Sequence, residues 1–555
     1  MRLPLRFVHV LLLGALLLLT GPSYAQIPAF AWATGGEKPA DYGQQAQARS
    51  IVTDQAGNTV VVGTFRQTLT LGSTTLTAAG DYDIFVALLD AAGTYQWAIR
   101  AGGSDEDIAT DVALDAAGTI YLTGHTRSYE ANFGPLQIQN PGYGIHLFVA
   151  KLSAAGQWLR VSHTSGKNIN NYIFGTALAV DAAGNAYVTG GLRVHDATFG
   201  AIPVRNEGLY NAFVAKLSAA GTWEWVMVEG GTGGYDFGQG IGLDAGGNVY
   251  VTGSFEGNEA RFGSQTLRRG NWRSSLFVTK LTNQGQWQWA TAGGGTAQTR
   301  GNGLATDPAG NVYLTGMVAG KQAFIGTTSL PKDDNNPDLL VAKLNTSGVW
   351  QWAVRGGGPE TDTGNGIALD AAGNVLVTGC FSGAKVSFGP LPALSAAGQT
   401  DVVVAQLDPQ GAWRWAAGGG GSGSDLGLAV ASSATGTLQV AGTFQGPGLT
   451  LGQTTLPGGV PSYEYFADRF FVTTIRDLAL PTPAELTLWP NPSRGTVWAA
   501  GLEANQPVQV FDAVGRLVAA DARPAYEVEG LSLPSLKPGI YVVRCGKQTR
   551  RLTIE

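Results

Sequence analysis

The chain has 555 residues, 80 of them Gly, and only 14% are charged, against about a quarter in ordinary soluble domains. With 44% hydrophobic residues and 14 Trp it carries ample core, which excludes a disordered chain. A formal charge of −6 excludes the basic footprint of a nucleic-acid binder, and two cysteines, Cys380 and Cys545, exclude a disulfide framework or a Cys-rich metal site.

In chain order, residues 1–25 come first and read as a signal peptide. Arg2 and Arg6 supply the positive region, Val8 to Leu19 the apolar core, and Ser23 and Ala25 the small residues before a cleavage between Ala25 and Gln26. The apolar run, about 12 residues, is too short to span a bilayer, and the mature chain is expected to hold no transmembrane segment.

From residue 26 to 476 one pattern repeats. A Trp-x-Trp run leads into a Gly-rich loop and a short strand, then an Asp-x-x-Gly-Asn turn, a strand ending Val-Thr-Gly, and a Phe-Val-Ala-Lys-Leu type strand. The turn Asp falls at Asp54, Asp115, Asp181, Asp244, Asp307 and Asp370, with Ser433 in the seventh copy, at spacings of 61, 66 and then 63 four times. A fixed period of this kind outranks any local reading. Each copy predicts four antiparallel strands, the first with a small face (Gly366, Ala368) opposite a branched one (Ile367, Leu369), as a crowded centre demands. The Trp pair, at i and i+2, is expected on one face. The repeats begin with a fourth strand (Phe30 to Ala33) and end with a third (Phe470 to Ile475). Closing the two ends on each other removes the open edge that a linear solenoid would leave. The expected fold is therefore all-β: a seven-bladed β-propeller closed by the N-terminal strand, followed by a linker at 477–485 and a small C-terminal β-sandwich at 486–555.

Asp244 to Gly253 and Asn211 to Leu217 resemble the bacterial β-propeller repeat family known as SBBP, whose repeats carry Asp-x-x-Gly-Asn-x-Tyr-Val-Thr-Gly and then Asp-x-Phe-Val-Ala-Lys-Leu. The resemblance covers about residues 27–476. It implies a propeller and an extracellular setting, and carries no shared chemistry. The tail opens with Pro490, Asn491, Pro492 and Gly495, has a Gly515-Arg516 hairpin, and closes with Gly539, Tyr541 and Arg544. It resembles the C-terminal sorting domain of type IX secretion substrates in Bacteroidetes-type bacteria. That resemblance implies export by the type IX machinery, removal of the tail, and attachment to surface lipopolysaccharide or release.

Candidate chemistry is sparse. The Asp-x-x-Gly-Asn turns lack the alternating ligands and distal Glu of a calcium loop. Gly418, Gly420 and Gly423 match a dinucleotide fingerprint but precede a strand, where a helix is needed. His125, His146, His163 and His195 have no zinc-ligand spacing, and no Gly-x-Ser-x-Gly elbow occurs. No cofactor or metal is expected. Asp107, Asp236, Asp362 and Asp425 recur eight residues before the turn position, either capping backbone where repeats meet or ringing one mouth of a channel. Asp111 stands where other copies have Gly, Ala or Ser, and needs a partner. The segments between second and third strands vary most, and variable loops are where binding concentrates. The best single candidate there is Trp272 with Arg269 and Arg273, suited to a glycan or protein ligand. The expected function is a non-enzymatic, surface-exposed binding or display scaffold; the alternative is a polysaccharide lyase or hydrolase with acids on one face.

Overall fold

The computed structural model describes residues 29–35, then 45–457 apart from 141, 143, 207–208, 232, 271–272, 296, 434–435, 447 and 453, then 469–476; in the tail it describes 487–489, 496–500, 508–521, 530–532, 537–545 and 548–554. Every regular element among them is a strand. The signal and its cleavage pair Ala25/Gln26, the linker, Trp272, and Pro490, Asn491, Pro492 and Gly495 lie outside the described residues.

One repeat shows the plan. Thr363–Leu369, Val375–Phe381, Asp401–Leu407 and Trp413–Gly419 pair in that order as an antiparallel meander, and the same meander forms in every repeat from Gln45–Thr53 onward. At the far end, Leu426–Ser432, Thr437–Phe444 and Arg469–Arg476 supply three strands. The strand beyond Arg469–Arg476 is Ala29–Gly35, antiparallel to it with Ala33 opposite Thr473. Ala46, Ile51 and Phe65 of the first repeat share a buried cluster with Ala431, Ala441 and Val472 of the last.

The first strand of each repeat carries a β-bulge, which leaves Arg49, Thr110, Thr176, Gln239, Asn302, Asn365 and Leu428 without a cross-strand partner. A bulge bends its strand and re-aims the extra residue. It also explains the glycine that closes Val-Thr-Gly. A Cβ on Gly379 would lie 1.9 Å from the Thr363 carbonyl oxygen, and one on Gly316 would lie 1.9 Å from that of Arg300. The small face of the first strand is required in the same way: a Cβ on Gly366 would lie 2.9 Å from the Leu428 carbonyl of the next repeat.

One expectation needs correction. The Trp pair does not share a face. The fourth strand bulges between the two rings, so that Lys216 pairs with Trp225 but Leu217 with Trp223. Trp223 consequently packs with Val188, Phe199 and Phe213, and Trp225 with Tyr187 in the next core. The pair thus serves two cores. The variable segment contains a two-stranded ribbon, such as Glu130–Phe133 with Leu136–Gln139 or Glu259–Phe262 with Gln265–Arg268. The first of these also pairs with the fourth strand of the preceding repeat, Ala131 opposite Gly103.

In the tail, Thr487–Trp489, Thr496–Ala500 and Gly530–Ser532 form one antiparallel sheet, and Leu517–Asp521, Val508–Phe511, Gly539–Cys545 and Gln548–Ile554 a second. Tyr541 donates its hydroxyl to the Lys537 carbonyl at 2.8 Å. Arg544 donates twice to the Gln509 side-chain oxygen and lies 4.9 Å from the Phe511 ring centre. Arg544 thereby links two neighbouring strands of the second sheet, one of which Gly539 opens.

Candidate functional site

Three consecutive residues from the first strand of every repeat line one cavity of about 280 Å³. The first of the three is the bulged residue. Thr110 donates to the Gly175 carbonyl (2.8 Å), Thr176 to Gly238 (2.7 Å), Asn302 to Gly364 (2.8 Å) and Asn365 to Gly427 (2.9 Å). These four bulged side chains satisfy carbonyls beside the neighbouring bulges and tie those repeats to the next along the cavity wall, whereas Leu428 has no donor to offer. Sequence reasoning missed this ring. Its signal was present: each member stands five residues before the turn Asp, or before Ser433 in the last copy.

Asp111 lines the same cavity and has its partners. Its Oδ1 accepts from Ser50 Oγ at 2.6 Å and its Oδ2 from the Leu178 amide at 2.7 Å, so one carboxylate joins the first strands of three successive repeats. Burial pushes its pKa up to about 6, against the pull of those hydrogen bonds.

The recurring acids lie elsewhere. Asp107, Asp236, Asp362 and Asp425 are all buried. Each accepts the backbone N–H of a Gly in the loop just before it: Gly103 and Gly231 at 2.6 Å, Gly358 at 2.7 Å and Gly421 at 2.6 Å. The second oxygen of three of them takes the amide that follows the next strand, from Glu256, Ser382 or Gln445. These carboxylates cap backbone where repeats meet, and none of the four lines the cavity. Desolvation raises Asp107, Asp236 and Asp362 to about 6 and Asp425 to about 7. His125 and His146 are pushed the other way, to about 4, by burial.

The turn Asp residues are saturated by their own turns. Asp370 Oδ1 accepts from the Ala372 and Asn374 amides (2.9 and 2.8 Å), and Oδ2 accepts from the Asn374 side chain at 2.8 Å. That is the local bonding an Asx turn offers. Arg269 is fastened to its own loop, donating to the Gly257 carbonyl and the Asn258 side-chain oxygen, both at 3.1 Å. Arg273 is 80% exposed and stands 3.9 Å from Glu256. Glu256 in turn gives its amide to Asp236, so Arg273 belongs to the face that carries the Gly-rich connections.

Among the described residues, no helix is long and apolar enough to cross a membrane. The family model for the Beta-propeller repeat, SBBP, matches residues 289–317. This window holds the end of one fourth strand, Trp287–Gly295, and the start of the next repeat through Gln298–Thr306 and Val312–Ala319. In this window the chain is similar to the β-propeller repeat family. An uncharacterized WD repeat-containing protein of Acanthamoeba polyphaga mimivirus is 23% identical over 491 residues, which cover 72% of this chain and 35% of that protein. The chain therefore spans about a third of the length of this curated relative. Among solved structures, a protein of unknown function from Dyadobacter fermentans aligns over 80% of this chain and 99% of its own at 10% identity and a TM-score of 0.35. PorZ, a surface component of the type IX secretion system of Porphyromonas gingivalis, aligns over 94% and 100% at 10% identity and a TM-score of 0.18.

Proposed function

We propose that the chain is an exported binding and display scaffold: a seven-bladed propeller closed by Ala29–Gly35, carried to the cell surface or medium by residues 486–555. The single observation that supports a scaffold over an enzyme is where the perturbed carboxyls stand. General acid/base work needs titratable groups aimed at a substrate, with separated pKa values. Here the raised groups Asp107, Asp236, Asp362 and Asp425 are each bonded to backbone N–H groups at the junctions between repeats, and Asp111, the raised group that lines the cavity, is taken up by Ser50 and the Leu178 amide. The uniform Asp-x-x-Gly-Asn turns serve one face as framework, and the ligand belongs on the opposite face, with the Gly-rich connections and the variable ribbons. On that face Trp272 with Arg269 and Arg273 remains a proposed contact for a glycan or protein. The purified 26–480 fragment, applied to glycan and protein arrays, should capture a ligand without turning it over. Release of cleaved saccharide from any arrayed glycan would replace the scaffold with the lyase or hydrolase.

Export rests on the tail's Pro-Asn-Pro-x-x-Gly opening and Pro-Gly-x-Tyr-x-Val-Arg close. In this reading the partners are the type IX machinery and, after tail removal, surface lipopolysaccharide. A chain truncated before residue 484 should fold and stay in the periplasm; normal amounts of it at the cell surface would refute the sorting role.

A further inference from the structure

One diagonal of the meander carries an ion pair in two repeats and two histidines in another. Asp83 opens the third strand of the first repeat. Arg100 stands opposite Phe85, two residues further along that strand, and the two charged side chains form a salt bridge. Asp338 and Arg355 repeat the arrangement in the fifth repeat, with Arg355 opposite Leu340 and 3.4 Å from the carboxylate. In the second repeat the same two places, at the same spacing, are His146 and His163, with His163 opposite Phe148. Both histidines therefore lie on one face of the sheet as diagonal neighbours.

A third place joins these two. The residue that leaves the outer ribbon is Lys332 in the fifth repeat and Asn140 in the second, and each gives its amide to the carbonyl before that ribbon, of Lys321 or Tyr129. Lys332 reaches Asp338 at 2.6 Å, so Lys332, Asp338 and Arg355 converge. Asn140, His146 and His163 hold the same three positions at the same spacings. Asn140 donates to the Gly144 carbonyl at 2.8 Å, and a Cβ on Gly144 would lie 3.3 Å from His146 Nε2.

The second repeat has no opposite charges here, and its polar atoms are left over. Asn140 and His146 are buried, but the Asn140 side-chain oxygen and both ring nitrogens of His146 have no hydrogen-bond partner. The nearby Thr164 carbonyl is taken by His163 Nδ1, which donates to it at 2.8 Å and leaves Nε2 with its lone pair. Burial, and after it the neighbouring His163, pushes the His146 pKa down to about 4, so the ring is a neutral ligand at neutral pH. Buried polar atoms without partners call for an ion or a water. Two imidazoles with an amide oxygen suit a borderline divalent ion such as zinc, whereas calcium and magnesium take oxygen ligands alone. Among the described residues no three His, Cys, Asp or Glu side chains converge; here the third donor is an amide, and the histidines come from separate strands, so no zinc spacing shows in the sequence.

We propose that Asn140, His146 and His163 hold one zinc ion, with water as the fourth ligand. The ion fastens the outer ribbon to the third and fourth strands, as the charged trio does in the fifth repeat. The test is calorimetric titration of the whole tag-free chain, stripped with EDTA, with zinc chloride. One zinc should bind per chain and raise the melting temperature. His163→Ala should weaken binding at least tenfold and abolish that rise. The double variant His146→Asp with His163→Arg installs the pair that the first and fifth repeats use; it should melt cooperatively and bind no zinc. His195→Ala, at an exposed histidine outside the trio, should bind within twofold of wild type. No zinc uptake by the wild-type chain, which would leave water bridging the three side chains, overturns the site. Binding within twofold of wild type in His163→Ala or in the double variant overturns it too, as does an equal loss in His195→Ala.

Discussion

A carboxylate buried against backbone amides is held by two opposed effects: desolvation favours its neutral form, and the N–H groups favour its charged form. In Asp107, Asp111, Asp236, Asp362 and Asp425 desolvation is the larger, and the pKa values stand at about 6 or 7. An unfolded Asp titrates near 3.9. The folded chain therefore binds more protons than the unfolded one between about pH 4 and 7. By linkage, the stability from these five groups is fully present below about pH 4 and is lost as pH rises through 6 and 7. His125 and His146 oppose them, since their folded pKa of about 4 lies below the unfolded value of about 6.5, and they remove stability as pH falls between the two. Five groups against two predict a higher melting temperature at pH 5 than at pH 8. A melting temperature several degrees higher at pH 8 would contradict the burial ascribed to these carboxyls. The acids were legible as a recurring position, and capping of backbone where repeats meet was one of the two roles that position allowed; the structure selects it over a ring around the channel mouth, because the Gly-rich loop before each acid turns its N–H groups toward the carboxylate.

At the scale of the strand and turn, the second Trp of the fourth strand reaches into the next repeat. Trp97, Trp225, Trp289 and Trp352 donate Nε1 to the carbonyls of Ala154, Asn283, Thr346 and Pro409. Their rings lie under the turn glycines Gly156, Gly285, Gly348 and Gly411. Where Arg160 replaces the Trp, its side chain lies under Gly221 instead. Gly348 and Gly118 have the same φ of +77°, but a Cβ on Gly348 would come within 2.8 Å of Trp289, whereas one on Gly118 would meet nothing within 4 Å. Gly118→Ala should cost only the backbone strain, about 1 kcal/mol. Gly348→Ala should cost that and more, about 2–3 kcal/mol, because the indole must give way. Equal losses in denaturant melts would show that the Trp contact contributes nothing.

The period and the four strands were legible because three markers keep one phase, but the features that break simple alternation were not. A bulge alters neither composition nor period, so the Trp pair was assigned to one face and the ring of bulged side chains passed unseen. The outer ribbons left a signal in apolar-Gly pairs such as Phe133-Gly134, Phe199-Gly200, Phe262-Gly263 and Phe388-Gly389, whose glycines take φ of +56° to +61°. Their turns are regular even though the flanking charges differ from copy to copy.

For the whole molecule, the repeats need a reason to stop. Four-stranded sheets in series leave an unpaired edge at each end, and an exposed edge templates association with other chains. The chain opens with a strand lacking its own meander, and its last meander lacks a fourth strand; each supplies what the other needs. The shared cluster of Ala46, Ile51 and Phe65 with Ala431, Ala441 and Val472 places the two ends of the array against one core. In the proposed closed ring, the variable ribbons and Gly-rich connections of all repeats gather around one mouth. The most direct measurement is native-state amide hydrogen exchange of the mature chain, read strand by strand. If the ring is closed, Ala29–Gly35 exchanges as slowly as Arg469–Arg476, both opening only with the global unfolding of the propeller. Exchange of Ala29–Gly35 at the rate of an unpaired segment, while Arg469–Arg476 stays protected, would contradict the closed ring.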